Sequence, residues 1–330
     1  MAPAYGVGNP MESLSSRSCI IEDDQERIVD LLLAYRNVTG VHVYQTAWRL
    51  RLLWTSRVGD LARDVRVWED ATGRAVGFAM LWRRRPDNAY LVLDRLVHPA
   101  CVTDHLADAL LEWGAQRAYA IATEQAVPLT LYAGAFDPAV CHDTGLESQG
   151  FAPVPPDPHK YDAYFARSLQ AALPVATLPA GYTIRHLHGI DEMEGYQALY
   201  DFTPVDPHHR QALLNSDTYS HLVAVGPDGS SAAYCECSVW RAEWQKSGQR
   251  IGWLDYMGTS PERRRRGLGQ AILLAGLARL RAWGADTAML VTVSTNVPAV
   301  RLYESVGFAR VDVSEAPRYQ KQVPAARKRR

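Results

Sequence analysis

Apolar and polar residues alternate with period two in several short stretches of the chain. Alternation over residues 65–69 and 75–82, with a turn ending in glycine between them, predicts a β-hairpin. Residues 222–225 and 232–240 repeat this arrangement around a second turn with glycine at both ends. The pattern therefore predicts one antiparallel hairpin in each half of the chain.

Other stretches show the three- to four-residue spacing that is typical of amphipathic helices. Residues 20–36 and 184–200 each read as a short strand followed by such a helix. The remaining elements predicted for the second half are a strand at 251–259, a helix at 268–283, a strand at 288–293 and a helix at 297–306.

The two halves also share a pattern at larger scale. Pro99 precedes Leu106 by the same seven residues that separate Pro261 from Leu268, and the apolar spacing after each leucine matches. A Gly-Phe-Ala run occurs at 150–152 and again at 307–309. A repeat of this length predicts two α/β domains that arose by duplication.

Composition shifts suggest where these domains begin and end. A Pro-rich run near residue 155 and a second one before residue 180 mark the end of the first half. The predicted ranges are 1–18 for a disordered lead-in, 19–170 for the first domain, 171–181 for a linker, 182–323 for the second domain and 324–330 for a basic tail.

Charge and cysteine content narrow the classes of function. The 330 residues are 47% hydrophobic and 22% charged, with a formal net charge of -1, which argues against a dedicated nucleic-acid binder. Five scattered cysteines and no apolar stretch long enough to span a membrane predict a cytoplasmic protein with reduced thiols. The histidines lack metal-ligand spacing, so no metal is expected.

The segment Arg264-Arg265-Arg266-Gly267-Leu268-Gly269 follows a predicted strand and opens a predicted helix. A helix N-terminus presents unpaired N–H groups and a partial positive charge, which favour a diphosphate. Glycines allow close approach of the backbone, and the arginines add positive charge. The alternative interpretation is an arginine-rich helix start on a solvated surface.

Two motifs in this order resemble a known family. The Arg-x-x-Gly-x-Gly pattern after a strand is similar to the acetyl-CoA pyrophosphate loop of the GNAT superfamily of N-acetyltransferases. The run from Asn296 to Phe308 resembles its Asn-x-x-Ala-x-x-Leu-Tyr-x-x-x-Gly-Phe signature. The resemblance implies two tandem GNAT-like α/β (α+β) domains, each with a mixed, mostly antiparallel central sheet flanked by helices. Their arrangement is similar to that of the mycothiol synthases, which does not settle the acceptor.

The first half lacks the groups that this chemistry needs. When the prolines and the Gly-Phe pairs are aligned, the residues opposite Arg264, Gly267, Gly269, Asn296 and Tyr303 are Val102, His105, Ala107, Ala139 and Leu146. We therefore expect a degenerate first domain that serves as a scaffold or as one wall of the acceptor pocket. Two strands that separate could still bind pantetheine there through their backbone groups. A vestigial CoA site in the first domain is therefore an open alternative.

Acyl transfer from a thioester needs a neutral amine, a stabilised oxyanion and a proton for the leaving thiolate. The family resemblance assigns the proton donor to Tyr303, two helical turns after Asn296, and both can face the cofactor. It also implies that backbone groups of Met257 and Thr259 pair with pantetheine and polarise the carbonyl. A packed helix tyrosine bonded to a carbonyl is the alternative for Tyr303.

Two carboxylates are candidates for the general base, and the sequence does not decide between them. Asp255 shares a face with Met257 and Thr259 by the period of two, and Glu236 lies on the neighbouring strand. Either could instead be a solvated carboxylate, with a chain of waters as the base.

The leading hypothesis is an acetyl-CoA-dependent N-acetyltransferase that acts on a small-molecule primary amine by direct attack in a ternary complex. Protein or peptide N-acetylation, and a non-catalytic acyl-CoA-binding regulator, are the alternatives. No nucleic acid and no membrane partner is expected, and the sequence leaves monomer and homodimer open.

Overall fold

Two seven-stranded sheets organise the protein, which is described by a computed structural model. The described residues are 14–39, 61–83, 89–134, 140, 145–155, 162–187, 189, 192, 214–314 and 318–325. The chain divides into a first unit, formed by Met1–Trp54, Gly59–Pro155 and Ala316–Arg330, and a second unit, formed by Thr55–Val58 and Pro156–Glu315.

Strands and helices of the first unit follow one another as the sequence pattern indicates. Its strands are β1 (Ser15–Ser18), β2 (Val65–Glu69), β3 (Ala75–Trp82), β4 (Tyr90–Val97), β5 (Leu129–Gly134), β6 (Ala152–Pro153) and, from the end of the chain, β14 (Arg318–Val323). Its helices are α1 (Ile21–Thr39), α2 (Leu61–Asp64), α3 (Asp104–Gln125) and α4 (Gly145–Ser148). The predicted hairpin is confirmed, because β2 and β3 pair antiparallel.

The second unit contains the elements around the candidate site. Its strands are β7 (Asp162–Ser168), β8 (Thr183–His186), β9 (Tyr219–Val225), β10 (Ser231–Val239), β11 (Ile251–Thr259), β12 (Thr287–Val293) and β13 (Ala309–Ser314). Its helices are α5 (Arg241–Ser247), α6 (Leu268–Ala282) and α7 (Val297–Ser305), with a 3-10 turn at Pro261–Arg263. The helix predicted within 184–200 falls mainly outside the described residues.

The two sheets have the same plan. The first has the order β1-β2-β3-β4-β5-β14-β6, and the second, read from its other edge, has the order β8-β9-β10-β11-β12-β7-β13. In each sheet only the central pair, β4 with β5 or β11 with β12, is parallel, whereas all other neighbours are antiparallel. The prediction of two mixed, mostly antiparallel sheets flanked by helices is therefore confirmed.

One strand of each sheet comes from the part of the sequence that was assigned to the other domain. Residues 162–168, inside the predicted range 19–170, form β7 between β12 and β13 of the second unit. Residues 318–323, inside the predicted range 182–323, form β14 between β5 and β6 of the first unit. Pairing over such long separations leaves no local pattern, so the sequence-based ranges place both strands in the wrong half.

The predicted disordered lead-in also ends too late. Residues 15–18 pair with β2 as strand β1. Arg17 on this strand forms ion pairs with Asp24 of α1, at 2.7 Å, and with Glu69 of β2, at 2.8 Å. This polar segment is thus held by backbone pairing and charge, which an apolar pattern could not reveal.

The core of the second unit lies between one face of the sheet and helices α6 and α7. Fully buried members from α6 include Ile272, Leu273 and Leu277, and they pack with Cys235 and Cys237 of β10. Burial of such side chains contributes about 1.5–3 kcal/mol each. This packing fixes the start of α6 against the end of β11, where the candidate site lies.

Candidate active site

Strands β11 and β12 separate along their length. They pair only where residues 251–253 meet residues 287–289, although β11 continues to Thr259 and β12 to Val293. Residue 254 and residues 256–259 therefore pair with β10 on one edge, and they pair with no residue of β12 on the other. Met257 and Thr259, the residues expected to offer backbone groups, lie in this open segment.

The loop after β11 leads into the N-terminus of α6. Gly267 is the N-cap of this helix, has a φ of 81° and supplies no side-chain cap. A Cβ built on Gly267 would meet no atom of the described residues within 4 Å, so this part of the structure leaves space for a ligand outside the loop. The first N–H groups of α6 thus face open space with the positive end of the helix dipole behind them.

Gly269 lies where three elements meet. A Cβ at this position would lie 3.4 Å from a methyl group of Leu302 on α7 and 3.5 Å from Oγ1 of Thr259. The loop, the end of β11 and helix α7 are therefore adjacent. This contact brings the Arg-x-x-Gly-x-Gly motif and the signature on α7 into one site.

The arginines at the loop have different surroundings. Arg263 is engaged by the β9–β10 turn, since its guanidinium pairs with Asp228 and donates to Ser230 Oγ at 2.7 Å. Arg264 donates from Nε to the carbonyl of Thr259 at 3.3 Å. Arg265 and Arg266 are exposed, and no ion pair holds either of them within the described part of the chain. These two cations are available to an anionic ligand, whereas Arg264 is bonded to the end of β11.

Tyr303 on α7 is buried against two aromatic rings. Its ring centroid lies 6.1 Å from that of Phe165 and 6.1 Å from that of Phe308. Its hydroxyl forms no hydrogen bond with any residue that the structure describes, so the alternative of a tyrosine bonded to a carbonyl is not found. Burial, and then neighbouring Cys235, raise the pKa of Tyr303 above its ordinary value of about 10.

Asn296 is the N-cap residue of α7 and is exposed. Its side chain makes no capping hydrogen bond, so the amide is not used for holding the helix. It therefore lies at the start of α7 with its polar group available, while Tyr303 is buried further along the same helix.

The two faces of strand β10 differ in chemistry. A Cβ on Gly276 of α6 would lie 2.8 Å from Cys235 Sγ, which places Cys235 on the helix-covered face. Successive side chains of a strand point to opposite faces, so Glu236 lies on the other one. Burial, followed by the charges of Asp255 and Glu236, raises the pKa of the Cys235 thiol well above its ordinary value.

Glu236 belongs to a buried polar cluster with two residues of β9. The hydroxyl of Tyr219 donates a hydrogen bond to Glu236 Oε2. His221 is directly opposite Glu236 in the strand register, and its Nδ1 lies 3.6 Å from Oε1. Sequence reasoning missed Tyr219 and His221, because only the strand register brings them beside the carboxylate.

Asp255 is displaced by an irregularity in the sheet. Glu236 pairs with Tyr256 and Cys237 pairs with Leu254, which leaves Asp255 as an extra residue on β11. The period of two used to place Asp255 on a face with Met257 is interrupted here, as in a β-bulge. Burial first, and then the charge of Asp255 among others, raises the pKa of the Cys235 and Cys237 thiols.

In the first unit, side chains of the unit itself contact the corresponding helix N-terminus and strand end. Thr103 caps helix α3 by accepting a hydrogen bond from the N–H of Leu106 at 3.1 Å. Arg95, which corresponds to Met257, donates from Nη2 to the carbonyl of Gly134 at the end of β5 at 3.0 Å. One N–H group at the helix N-terminus and one carbonyl at the end of β5 are thus bonded by side chains of the first unit.

Comparison with known proteins finds a family match over the segment that contains the candidate site. Residues 186–308 match the Acetyltransferase (GNAT) family model. A mycothiol acetyltransferase of Thermobispora bispora is 54% identical over 65 residues, which cover 19% of this chain and 22% of that protein. A mycothiol acetyltransferase of Salinispora arenicola is 32% identical over 157 residues, which cover 44% of this chain and 50% of that protein. The matches thus span half or less of these relatives' length.

Solved structures share the fold over nearly the whole chain. A GCN5-related N-acetyltransferase from Sphaerobacter thermophilus superposes with a TM-score of 0.63 at 20% identity, covering 95% of this chain and 97% of that one. A tandem GNAT protein from the clavulanic acid biosynthesis pathway gives 0.65 at 18% identity, covering 96% and 100%. In the described part of this chain, no helix has the length and apolar character required to cross a bilayer.

Proposed function

We propose that the chain, whose residues 186–308 match the Acetyltransferase (GNAT) family model, is an acetyl-CoA-dependent N-acetyltransferase acting on a small-molecule primary amine. The observation that carries the proposal is the combination of an open helix N-terminus with an open strand edge in the described part of the second unit. That arrangement suits a ligand with a diphosphate at one end and an amide-containing arm at the other.

Each part of acetyl-CoA has a matching group in this site. The first N–H groups of α6, with Arg265 and Arg266, are placed to bind the diphosphate. The open edge of β11 at Met257 and Thr259 offers backbone groups to the pantetheine amides, as an added strand would. Acetyl-CoA supplies the activated acetyl group, and the protein supplies orientation and proton transfer.

The two faces of the sheet suggest separate roles for the polar residues. Glu236 lies on the face opposite α6 and is proposed to remove the proton of the attacking amine. Tyr303 lies on the helix-covered side and is proposed to hydrogen-bond the departing thiolate. Asp255 is the alternative candidate for the base, and it is the extra residue at the point where the pairing of β11 with β10 is interrupted.

Direct attack by the amine is favoured over an acyl-enzyme intermediate. An acyl-cysteine would need a thiolate nucleophile. Cys235 and Cys237 are fully buried, and burial raises the pKa of both thiols far above the value of about 8.5 that free cysteine has. Neither of these thiols is fit to attack a thioester, which supports a ternary complex.

The acceptor class is inferred from chemistry and relatives together. A buried carboxylate suits a small amine better than a lysine carried on a folded protein, and two relatives are named mycothiol acetyltransferases.

We place the protein in the cytoplasm, where acetyl-CoA is available and thiols stay reduced.

Incubation of the full chain with acetyl-CoA and a panel of primary amines tests the proposal. The panel would contain amino sugars, amino-acid amides, polyamines and a lysine-rich peptide. We expect free thiol release that depends on a small amine, with a product heavier by one acetyl group. Acetylation of the peptide alone would favour a protein acetyltransferase, and binding without transfer to any amine would indicate a regulator.

Titration calorimetry tests the proposal that acetyl-CoA binds to the second unit and not to the first. We expect one acetyl-CoA per chain, because the first unit has Thr103 on its helix N-terminus and Arg95 across its strand gap. Two sites of equal affinity would contradict the degenerate first half.

A further inference from the structure

Three polar side chains are buried together on the sheet face opposite α6. Tyr219, His221 and Glu236 are 6%, 1% and 5% exposed. Burying polar and charged groups costs free energy unless they pair, and such clusters are often retained for function. A carboxylate that only stabilised the fold could be replaced by an apolar residue at this depth.

The geometry leaves different tasks for the two carboxylate oxygens. Tyr219 donates its hydroxyl to Oε2, and this bond favours the ionised carboxylate. His221 Nδ1 is 3.6 Å from Oε1, which is longer than a hydrogen bond but within ion-pair range when the imidazole is protonated. Tyr219 thus holds one carboxylate oxygen, and His221 lies beside the other.

The strand register keeps this cluster in place. His221 is the direct cross-strand partner of Glu236, and Tyr219 is two residues away on the same face of β9. The His221 ring also lies 5.9 Å from that of Tyr234, which packs on this face. The neighbouring residue Ser220 points to the opposite face and contacts His186 at 2.9 Å.

From this cluster we propose that Tyr219 and His221 are positioning residues that hold Glu236 as an ionised base for the acceptor amine. The inference rests on the proposed acetyltransferase function and extends it to two residues on a different strand. In the step concerned, the amine nitrogen forms a bond to the acetyl carbon and one of its N–H protons passes to a carboxylate oxygen of Glu236. The C–S bond of the thioester breaks, and the thiolate leaves toward Tyr303, its proposed hydrogen-bond donor. Tyr219 keeps its own proton throughout.

The test below changes Tyr219 or His221 and leaves the other ionisable groups near Glu236 as they are in the wild type. Among the described residues of the flanking strands these are Asp255 and Tyr256 on β11, with Tyr234 and Cys235 on β10 itself. Their contributions stay constant when only Tyr219 or His221 is changed, so a difference in the pH profile reports on those two residues.

The test measures kcat/KM against pH for the full chain, with acetyl-CoA and the best amine of the panel. Tyr219→Phe removes a hydrogen bond that favours the carboxylate, so the base becomes protonated at a higher pH. We expect the acidic limb of the profile to move to higher pH and kcat/KM at pH 6 to fall by about tenfold or more, as for other hydrogen bonds to charged groups. Activity should largely recover at high pH, with the KM for acetyl-CoA unchanged.

Two further variants separate positioning from simple stability. His221→Gln should move the limb in the same direction by a smaller amount, and it keeps the test valid if Tyr219→Phe folds poorly. Ser220→Ala removes a buried hydroxyl from the same strand but from the opposite face, so its acidic limb should match the wild type. A wild type without amine-dependent transfer would overturn the proposed function and this inference with it. An active wild type whose limb is unchanged in both Tyr219→Phe and His221→Gln would overturn the inference alone.

Discussion

Replacing Tyr303 by phenylalanine is expected to lower kcat about a hundredfold while leaving acetyl-CoA affinity nearly unchanged. The hydroxyl is proposed to act on the leaving thiolate, so its contribution is made mainly in the transition state. The effect belongs at the low end of acid catalysis, because a thiol with a pKa of about 8.5 leaves readily. Burial raises the pKa of Tyr303, so the hydroxyl is suited to donating a hydrogen bond rather than to losing its proton outright.

Turnover, acetyl-CoA affinity and melting temperature would be measured on the same samples. Tyr164→Phe is the control, because Tyr164 is buried to a similar extent on strand β7. It should lose some stability, about 1 kcal/mol if a hydrogen bond is removed, and keep its activity. A Tyr303→Phe variant that is less stable yet fully active would show that Tyr303 serves packing alone.

Gly267→Asp is expected to weaken acetyl-CoA binding by about a hundredfold. The new carboxylate would lie at the N-cap of α6, where the diphosphate is proposed to bind. Two like charges at about 4 Å repel by roughly 1–4 kcal/mol at a protein surface, and each 1.4 kcal/mol corresponds to about a factor of ten. No atom of the described residues lies within 4 Å of a Cβ at this position, so the chain should stay folded.

Two variants provide the controls for this experiment. Gly267→Ala shares the cost of a side chain at a φ of 81°, about 1–2 kcal/mol, but adds no charge. His105→Asp introduces the same carboxylate at the corresponding position of the first unit, where His105 is exposed. Both should bind acetyl-CoA much better than Gly267→Asp. Normal binding by Gly267→Asp, or loss of binding in His105→Asp, would contradict the assignment of the loop.

Much of the local structure could be predicted from the sequence, because it depends on local patterns. Strand β11 and hairpin β2–β3 have the predicted bounds, and α6 starts at the predicted residue. The similarity of the two sheets also follows the predicted duplication. Leu106, however, is the third residue of α3, whereas its counterpart Leu268 is the first residue of α6. The helix of the first unit therefore starts earlier and caps itself with Thr103.

The features that the sequence could not reveal all depend on which strands pair and in what register. The exchange of β7 and β14 arises from pairing between distant segments. The extra residue on β11 interrupts the alternation that placed Asp255 beside Met257. The contact of Tyr219 and His221 with Glu236 needs the register of β9 against β10. The roles of Glu236, Asp255 and Tyr303 stay predictions.

The most direct measurement of the central claim is the initial rate of thiol release with acetyl-CoA and the acceptor amine both varied. Direct transfer in a ternary complex predicts a rate that requires the amine and double-reciprocal lines that intersect. Parallel lines would indicate an acyl-enzyme intermediate. The absence of amine-dependent thiol release with any member of the panel would contradict the assignment of the protein as an N-acetyltransferase.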